Sequence, residues 1–350
     1  MVAISLAERG LIPEPLLRAG IRHLLRDRLA CEERRHADRE EALRRFVATM
    51  AGAELAPTPE AANRQHYEVP TAFFQLVLGR HLKYSSALWE PGVASLDEAE
   101  AAMLERTCAR ADLADGQRVL ELGCGWGSLS LFMAARYPRA RFLAISNSRS
   151  QGEHVRAEAR ARGLANLEVR TADMNGFAPK PGARFDRIVS VEMFEHLRNW
   201  PELFRRVHGW LAPGGRVFVH VFAHRRFAYP FEVDGDGDWM ARHFFTGGIM
   251  PSHDLPAWIP GPLEVEERWL VPGTHYARTA EAWVERLDAN RAAALAALGR
   301  ALPPAEARRQ LHRWRIFFLA CAELFAFRGG AEWVVSHHRL RARADGEGRP

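Results

Sequence analysis

The chain has 350 residues, 47% hydrophobic and 26% charged, an ordinary globular composition with room for one large domain or two small ones. Forty-eight Lys and Arg against 43 Asp and Glu give a formal charge of +5, but nearly all the cations are scattered arginines without a clustered stripe, which argues against nucleic acid as a partner. The four cysteines, Cys31, Cys108, Cys124 and Cys321, form no C-x-x-C pair, and no run of 18 apolar residues occurs, so a cytoplasmic protein without metal, disulfide framework or membrane span is expected.

From Leu16 to Met50 apolar residues recur at helical spacing among Arg and Glu, predicting two or three amphipathic helices. Their start, "PLLRAGIRHLLRDRL", is basic enough to lie on a membrane surface, although packing on a catalytic domain or on a second subunit of a homodimer fits better. The breaker-rich "AGAELAPTPEAAN" reads as a linker and divides the chain into an N-terminal helical region, 1–62, and a main domain, 63–350. "TAFFQLVLGR" predicts a helix, and "SLDEAEAAMLERTCARADL" another, with Ser95 and Glu98 spaced as a capping box.

Strand-length apolar runs then alternate with helical segments: "QRVLEL", helix from Ser128, "RFLAIS", helix from Arg149, "LEVRTA", "FDRIVSV", helix from Pro201, and "GRVFVHVF". Five strands with helical crossovers predict an α/β, doubly wound, mostly parallel sheet. A loop-rich insert at about 223–275 follows, then helices from Thr279 to Phe327 and a last strand, "EWVVSHHRL". In the insert, "FFTGGIMP" suggests a mobile lid whose Phe244 and Phe245 touch substrate, while "WRIFFLACAELFAF" reads as a buried helix. His220 and His224 stand four apart on a strand, a poor metal spacing.

"VLELGCGWGS" sets Glu121, Gly123, Gly125 and Gly127 between the first strand and its helix. The spacing is G-x-G-x-G behind a carboxylate rather than the G-x-G-x-x-G of a pyrophosphate site, which favours a smaller zwitterionic cofactor. The stretch resembles motif I of the class I S-adenosylmethionine-dependent methyltransferases. Strand two lacks the acid usual there and ends "AISNSRSQ", a departure shared by the cyclopropane fatty acid synthase family and its N-methyltransferase relatives. The segments "NRQHYEVPTAFFQLVLG", "KYSSALWE", "VSVEMFEHLRNW", "WMARHFFTGGIMPS", "HYARTAEAW" and "WRIFFLACAELFAFRGGAEWVVSHH" resemble the coclaurine N-methyltransferase group of that family, from about Asn63 to His338.

The resemblance implies a seven-stranded Rossmann-like sheet with S-adenosyl-L-methionine as cofactor and S-adenosyl-L-homocysteine as product. Cofactor contacts are expected from Tyr84, Ser85, Glu121, Gly123, Cys124, Gly125, Asn147, Gln151, Asp173 and Met174, with Tyr67 and Glu68 of "HYE" closing over the substrate. Cyclopropane synthases typically carry Cys after "YS" and use it to help hold a bicarbonate base. Here Ser86 stands there.

Glu192, Glu195 and His196 of "SVEMFEH" are spaced i, i+3, i+4, so a helical turn after strand four would put all three on one face. Helix-start acids need no chemistry to explain them. At the C-terminal edge of a central strand beside a glycine loop, however, carboxylates can attract an ammonium, and an imidazole near its usual pKa of about 6.5 can take its proton. N-methylation of a small amine is therefore the expected function. The alternatives are a cyclopropane-fatty-acyl-phospholipid synthase or related lipid methyltransferase acting on acyl phospholipid, and a cofactor-binding scaffold without catalysis.

Overall fold

The computed structural model describes residues 2–57, 69–232 and 238–344. The glycine loop's strand β1 (Arg118–Leu122) lies third in a seven-stranded sheet. It pairs in parallel with β2 (Arg141–Ser146) on one side and β4 (Phe185–Val191) on the other. β3 (Leu167–Thr171) extends the sheet beyond β2, and β5 (Leu211–His224) beyond β4. The connecting helices α6 (Ser128–Arg136), α7 (Arg149–Ala161) and α8 (Trp200–Trp210) cover the sheet faces, as parallel neighbours require. Because the chain runs outward from β1 in one direction and from β4 in the other, a crevice opens beyond their carboxyl ends.

The sheet does not stop at five strands. β9 (Trp333–Ala342) pairs antiparallel with β5, and β8 (Leu263–Val271) pairs antiparallel with β9 at the edge. The expected insert is thus shorter than 223–275: β8, with its exposed charges, belongs to the main sheet. What remains holds a two-stranded ribbon, β6 (Tyr229–Pro230) with β7 (Ile249–Met250), and the short helices α9 (Trp239–His243) and α10 (Leu255–Trp258).

The N-terminal helices are α1 (Val2–Glu8), α2 (Glu14–Arg35) and α3 (Arg39–Ala51). α4 (Thr71–Val77) and α5 (Leu96–Arg110) precede the sheet, and the Ser95–Glu98 capping box forms as expected. The helical C-terminal part comprises α11 (Gly273–Ala289), α12 (Arg291–Leu298) and α13 (Pro304–Ala326). α2 lies along α13, where Arg18 bonds Glu281 and Glu323 and Arg22 bonds Glu323. Arg18 and Arg22 of α2 are therefore turned onto acids of the main body, while Arg26, Arg34 and Arg35 are exposed. No described helix is long and apolar enough to cross a membrane. The expected boundary at residue 62 falls outside the described residues.

Candidate active site

The loop after β1 is pinned by Gly123 and Cys124, whose amides both donate to Ile145 O at the end of β2, at 3.0 and 2.8 Å. Gly123 has φ +80°, and a Cβ there would stand 2.6 Å from Met193 Cγ. Gly125 also has a positive φ, +53°, but its Cβ would meet nothing within 4 Å, so this glycine faces open cleft. Tyr84, Ser85, Glu121, Gly123, Cys124, Gly125, Asn147, Gln151, Asp173 and Met174 all line that cleft, together with Trp126.

The cleft offers polar groups suited to a zwitterionic nucleoside. Gln151 uses its Oε1 to accept from Ser146 Oγ at 3.0 Å, which leaves Nε2 buried without a partner. A buried amide of this kind is costly unless something accepts from it. Glu121 is buried and accepts from the Ser130 hydroxyl; burial pushes its pKa up to about 7 against that bond's pull. Asp173 takes the Asn175 amide at 2.9 Å, and the Tyr84 ring packs against Phe74 and Trp283. An orphaned donor, an open glycine and a carboxylate along one cleft fit the expected cofactor.

After β4 no α-helical turn forms. Glu192 sits at φ +48°, a left-handed conformation that strains a residue with a side chain, and Phe194–His196 make a single 3-10 turn. The expectation that Glu192, Glu195 and His196 share one helix face is corrected accordingly. Glu192 Oε1 accepts from Ser86 N at 3.0 Å and lies 3.2 Å from His220 Nε2, and Oε2 accepts from Tyr276 Oη at 2.7 Å. Burial raises the pKa of Glu192, while Lys83, the Ser86 amide and the Tyr276 hydroxyl work the other way. Lys83 is itself fully buried, donates to Ser85 Oγ and Ser86 O, and is brought down to about 8 by burial.

Glu195 turns away from the cleft. It is 0% exposed, its Oε1 accepts from Phe222 N at 2.7 Å, and its Oε2 has no partner. Burial, and then the charge of Glu192, hold its pKa well above the ordinary value. His196 lines the cleft and stacks on Phe245 at 5.6 Å and 14°. Burial lowers its pKa to about 4 although Glu192 pulls it up, so its ring is neutral at pH 7 and weakly basic, unlike the imidazole near 6.5 expected from the sequence.

Beyond His196 and Glu192 lies a chamber of about 850 Å³, within the range of small-molecule sites. Its inner wall includes Phe222, Phe245 and Tyr276, residues in contact with Glu195, His196 and Glu192 respectively. The outer wall comes from both chain ends: Ile4, Leu17 and Ile21 on α1 and α2, and Phe317, Ala320 and Leu324 on α13. Polar groups are few, among them Arg28, Glu232 and Asp238, with Arg28 donating to Asp238. Phe244, expected against substrate, is 1% exposed and stacks on Phe317 at 4.1 Å as core. Tyr67 and Glu68 lie outside the described residues.

The sequence profile of the mycolic acid cyclopropane synthetase family matches residues 56–332. The chain belongs to that family. A relative, (S)-coclaurine N-methyltransferase of Thalictrum flavum subsp. glaucum, is 36% identical over 338 residues, covering 94% of this chain and 92% of that one. Among solved structures, coclaurine N-methyltransferase bound to N-methylheliamine and SAH matches with a TM-score of 0.92 at 33% identity, covering 97% of this chain and 98% of that one. The cyclopropane synthase MmaA2 from Mycobacterium tuberculosis matches with a TM-score of 0.68 at 25% identity, covering 83% and 100%. The chain is an S-adenosylmethionine-dependent methyltransferase of the class I fold.

In this methyltransferase several groups around the acids went unassigned in the sequence. Tyr276 lies in the quoted "HYARTAEAW", yet nothing local marks its hydroxyl as a partner of Glu192. His220 was weighed only as a metal ligand with His224; instead it faces Glu192 and His337, while His224 Nδ1 accepts from the amides of Arg226 and Phe227. The stripe on α13 is buried, as expected, but it is also chamber wall.

Proposed function

We propose that this enzyme methylates the nitrogen of a small amine, with the acceptor in the apolar chamber and the cofactor in the cleft. The observation that carries the reading is the Glu192 carboxylate in the cleft wall, held by three donors of which one, Tyr276, also lines the chamber. A carboxylate at that point attracts an ammonium out of an otherwise apolar chamber. The raised pKa of Glu192 suits it to accept the ammonium proton and so free the nitrogen lone pair. When bound, the cofactor supplies an electrophilic methyl group on its sulfonium.

Glu195 supports the turn beneath Glu192 by accepting from Phe222 N. His196 and Phe245 give the acceptor a flat, uncharged wall at the junction. Exclusion of water and alignment of the two reactants account for much of the rate. On the cofactor side we assign Gln151 and Asn147 to the ribose, Asp173 and Met174 to the adenine, and Glu121 with Tyr84 and Ser85 to the amino-acid end. Gly123, Cys124 and Gly125 give the backbone close approach. The division into 1–62 and 63–350 belongs to the same proposal, the first part covering the chamber and the second carrying the chemistry.

One feature favours a second reading, transfer to an acyl chain of a phospholipid. The chamber is mainly apolar, and Leu11, Leu16 and Leu24 on its N-terminal rim are 63%, 65% and 50% exposed. Labelled cofactor offered with a panel of secondary and tertiary amines, or with liposomes containing unsaturated acyl chains, separates the two. Label in the amine fraction is the expected result; label only in lipid overturns the amine reading.

A further inference from the structure

Behind Glu192, its partner His220 leads to two residues that have no part in the reading above, His337 and Arg110. His220 on β5 and His337 on β9 are register partners across the antiparallel ladder, both 0% exposed, with rings 4.5 Å apart. His337 Nε2 is 2.9 Å from His220 Nδ1, and His220 Nε2 is 3.2 Å from Glu192 Oε1. At the far end, Arg110 Nη1 is 2.8 Å from His337 Nδ1, and the Arg110 guanidinium lies over the Trp269 ring at 5.0 Å.

A guanidinium can only donate. His337 Nδ1 must therefore accept, which puts its hydrogen on Nε2, and that hydrogen is donated to His220 Nδ1. His220 in turn carries its hydrogen on Nε2 and donates it to Glu192 Oε1. One donor-only group on α5 thus fixes the tautomers of two rings and the direction of three hydrogen bonds. Burial, helped by Lys83 and Arg110, keeps both rings well below their ordinary pKa, so each is neutral and has one hydrogen to give.

We propose that Arg110 and His337 are positioning residues for methyl transfer: acting through His220, they hold a donor on Glu192 and keep that carboxylate ionised and fixed where cleft meets chamber. The proposal rests on the amine-transfer reading. It also sets a direction. Every ring hydrogen in the chain already points toward Glu192, so a proton that Glu192 accepts finds no vacant nitrogen behind it and returns to solvent by the cleft or the chamber. The titratable groups facing Glu192 are Lys83, Glu195, His196, His220, Tyr276 and Cys321. Arg110, Lys83 and His338 face the outer ring, His337.

The test pairs a spectroscopic readout with kinetics on the full chain. Nitrogen-15 NMR of the imidazoles should find His220 and His337 both neutral with hydrogen on Nε2; hydrogen on Nδ1 of either, or an imidazolium, overturns the proposal. Arg110→Met should lower kcat about 10-fold, the scale on which losing an outer partner of a functional histidine is felt. Cofactor affinity should be unchanged, and the acid limb of the kcat profile should move to higher pH, because a Glu192 short of a donor protonates more readily. Arg110→Lys, again donor-only, should restore rate and profile. If Arg110→Met does not fold, His337→Gln against His337→Leu makes the same comparison, since a glutamine amide can accept from Arg110 and donate to His220 whereas leucine can do neither. Wild-type kcat and profile in the variants that break the chain reject the positioning role. Full rate in Glu192→Gln rejects the amine reading instead, and leaves the tautomer measurement standing.

Discussion

Tyr276 Oη and Glu192 Oε2 are 2.7 Å apart, a bond between α11 and the end of β4 across the wall between cleft and chamber. The tyrosine ring is held in place by Phe325, stacked at 4.2 Å and 13°. Tyr276→Phe keeps the stack and removes one of three donors from a buried carboxylate, a loss of about 1–3 kcal/mol. The expected result is a fall in kcat of about 10-fold or more with amine substrates, with cofactor affinity intact by calorimetry. Glu192→Gln should cost more, about 10²- to 10⁴-fold, the worth of a positioned base. Equal rates in wild type and both variants would remove Glu192 from the mechanism.

Gly125→Val should abolish cofactor binding, because the new side chain enters open cleft. Backbone strain at positive φ needs its own control. Gly163 also has a positive φ, +67°, with nothing within 4 Å of a Cβ, and it is not among the cleft residues. Gly163→Val should therefore show comparable destabilisation in a melt with unchanged cofactor affinity. Loss of binding in both variants would assign the effect to strain.

The buried histidines work against this fold in acid from an unusually high pH. His220, His224, His337 and His338 are nearly wholly buried, and burial holds all four below the ordinary imidazole value, His224 and His338 at about 3. Below about pH 6.5 the unfolded chain takes up protons that the native rings refuse, so stability is lost as pH falls from there toward the folded values. Each such histidine contributes about 1.4 kcal/mol per pH unit in that window. Glu100 and Glu121, which burial raises to about 7, take up protons in the native state over the same window and work the other way, so the histidine contribution is read by difference. On going from pH 7.5 to 5.5 in chemical melts, His338→Gln should lose less stability than wild type, by about 1.4 kcal/mol. An equal pH dependence in the two would show that the ring charges without unfolding.

Turnover should not depend on added bicarbonate. Ser86 stands where cyclopropane synthases place a cysteine, and its amide is committed to Glu192 Oε1, as Tyr276 is to Oε2. The donors that would hold a free anion there already hold a side chain of this protein. Rates in bicarbonate-depleted and bicarbonate-supplemented buffer should agree, and Ser86→Cys should not create activity on acyl chains. Bicarbonate-stimulated cyclopropane formation would favour the lipid reading.

The parts of this site legible in the sequence are those whose cause is local. Gly123 and Gly125 announce a strand-to-helix loop by spacing alone, and Ser95 with Glu98 announces a capped helix, because each device is complete within a few residues. β8 is not legible as a strand because "LEVEERWLV" is an edge strand with charges on its open side, without the continuous apolar run of an interior strand. Glu192 is legible by type and place but its turn is not, since i, i+3, i+4 spacing does not reveal a left-handed residue at the start. Tyr276 stands 84 positions from Glu192, and His337 stands 117 from His220. Pairings at such separations follow from how helices and strands come to rest, which no window of sequence contains.

The place of β9 has a bearing on how the molecule is made. It lies between β5 and β8, although both precede it in the chain. During synthesis, which adds about 5–20 residues per second, β5 and β8 leave the ribosome several seconds before the strand that joins them. For that interval the nascent sheet has an open edge at β5, and β8 has no neighbour to bond. The slot is an invitation to intermolecular pairing, so expression at low temperature with slowed initiation, or with a chaperone that shields strand edges, should raise the yield of folded enzyme.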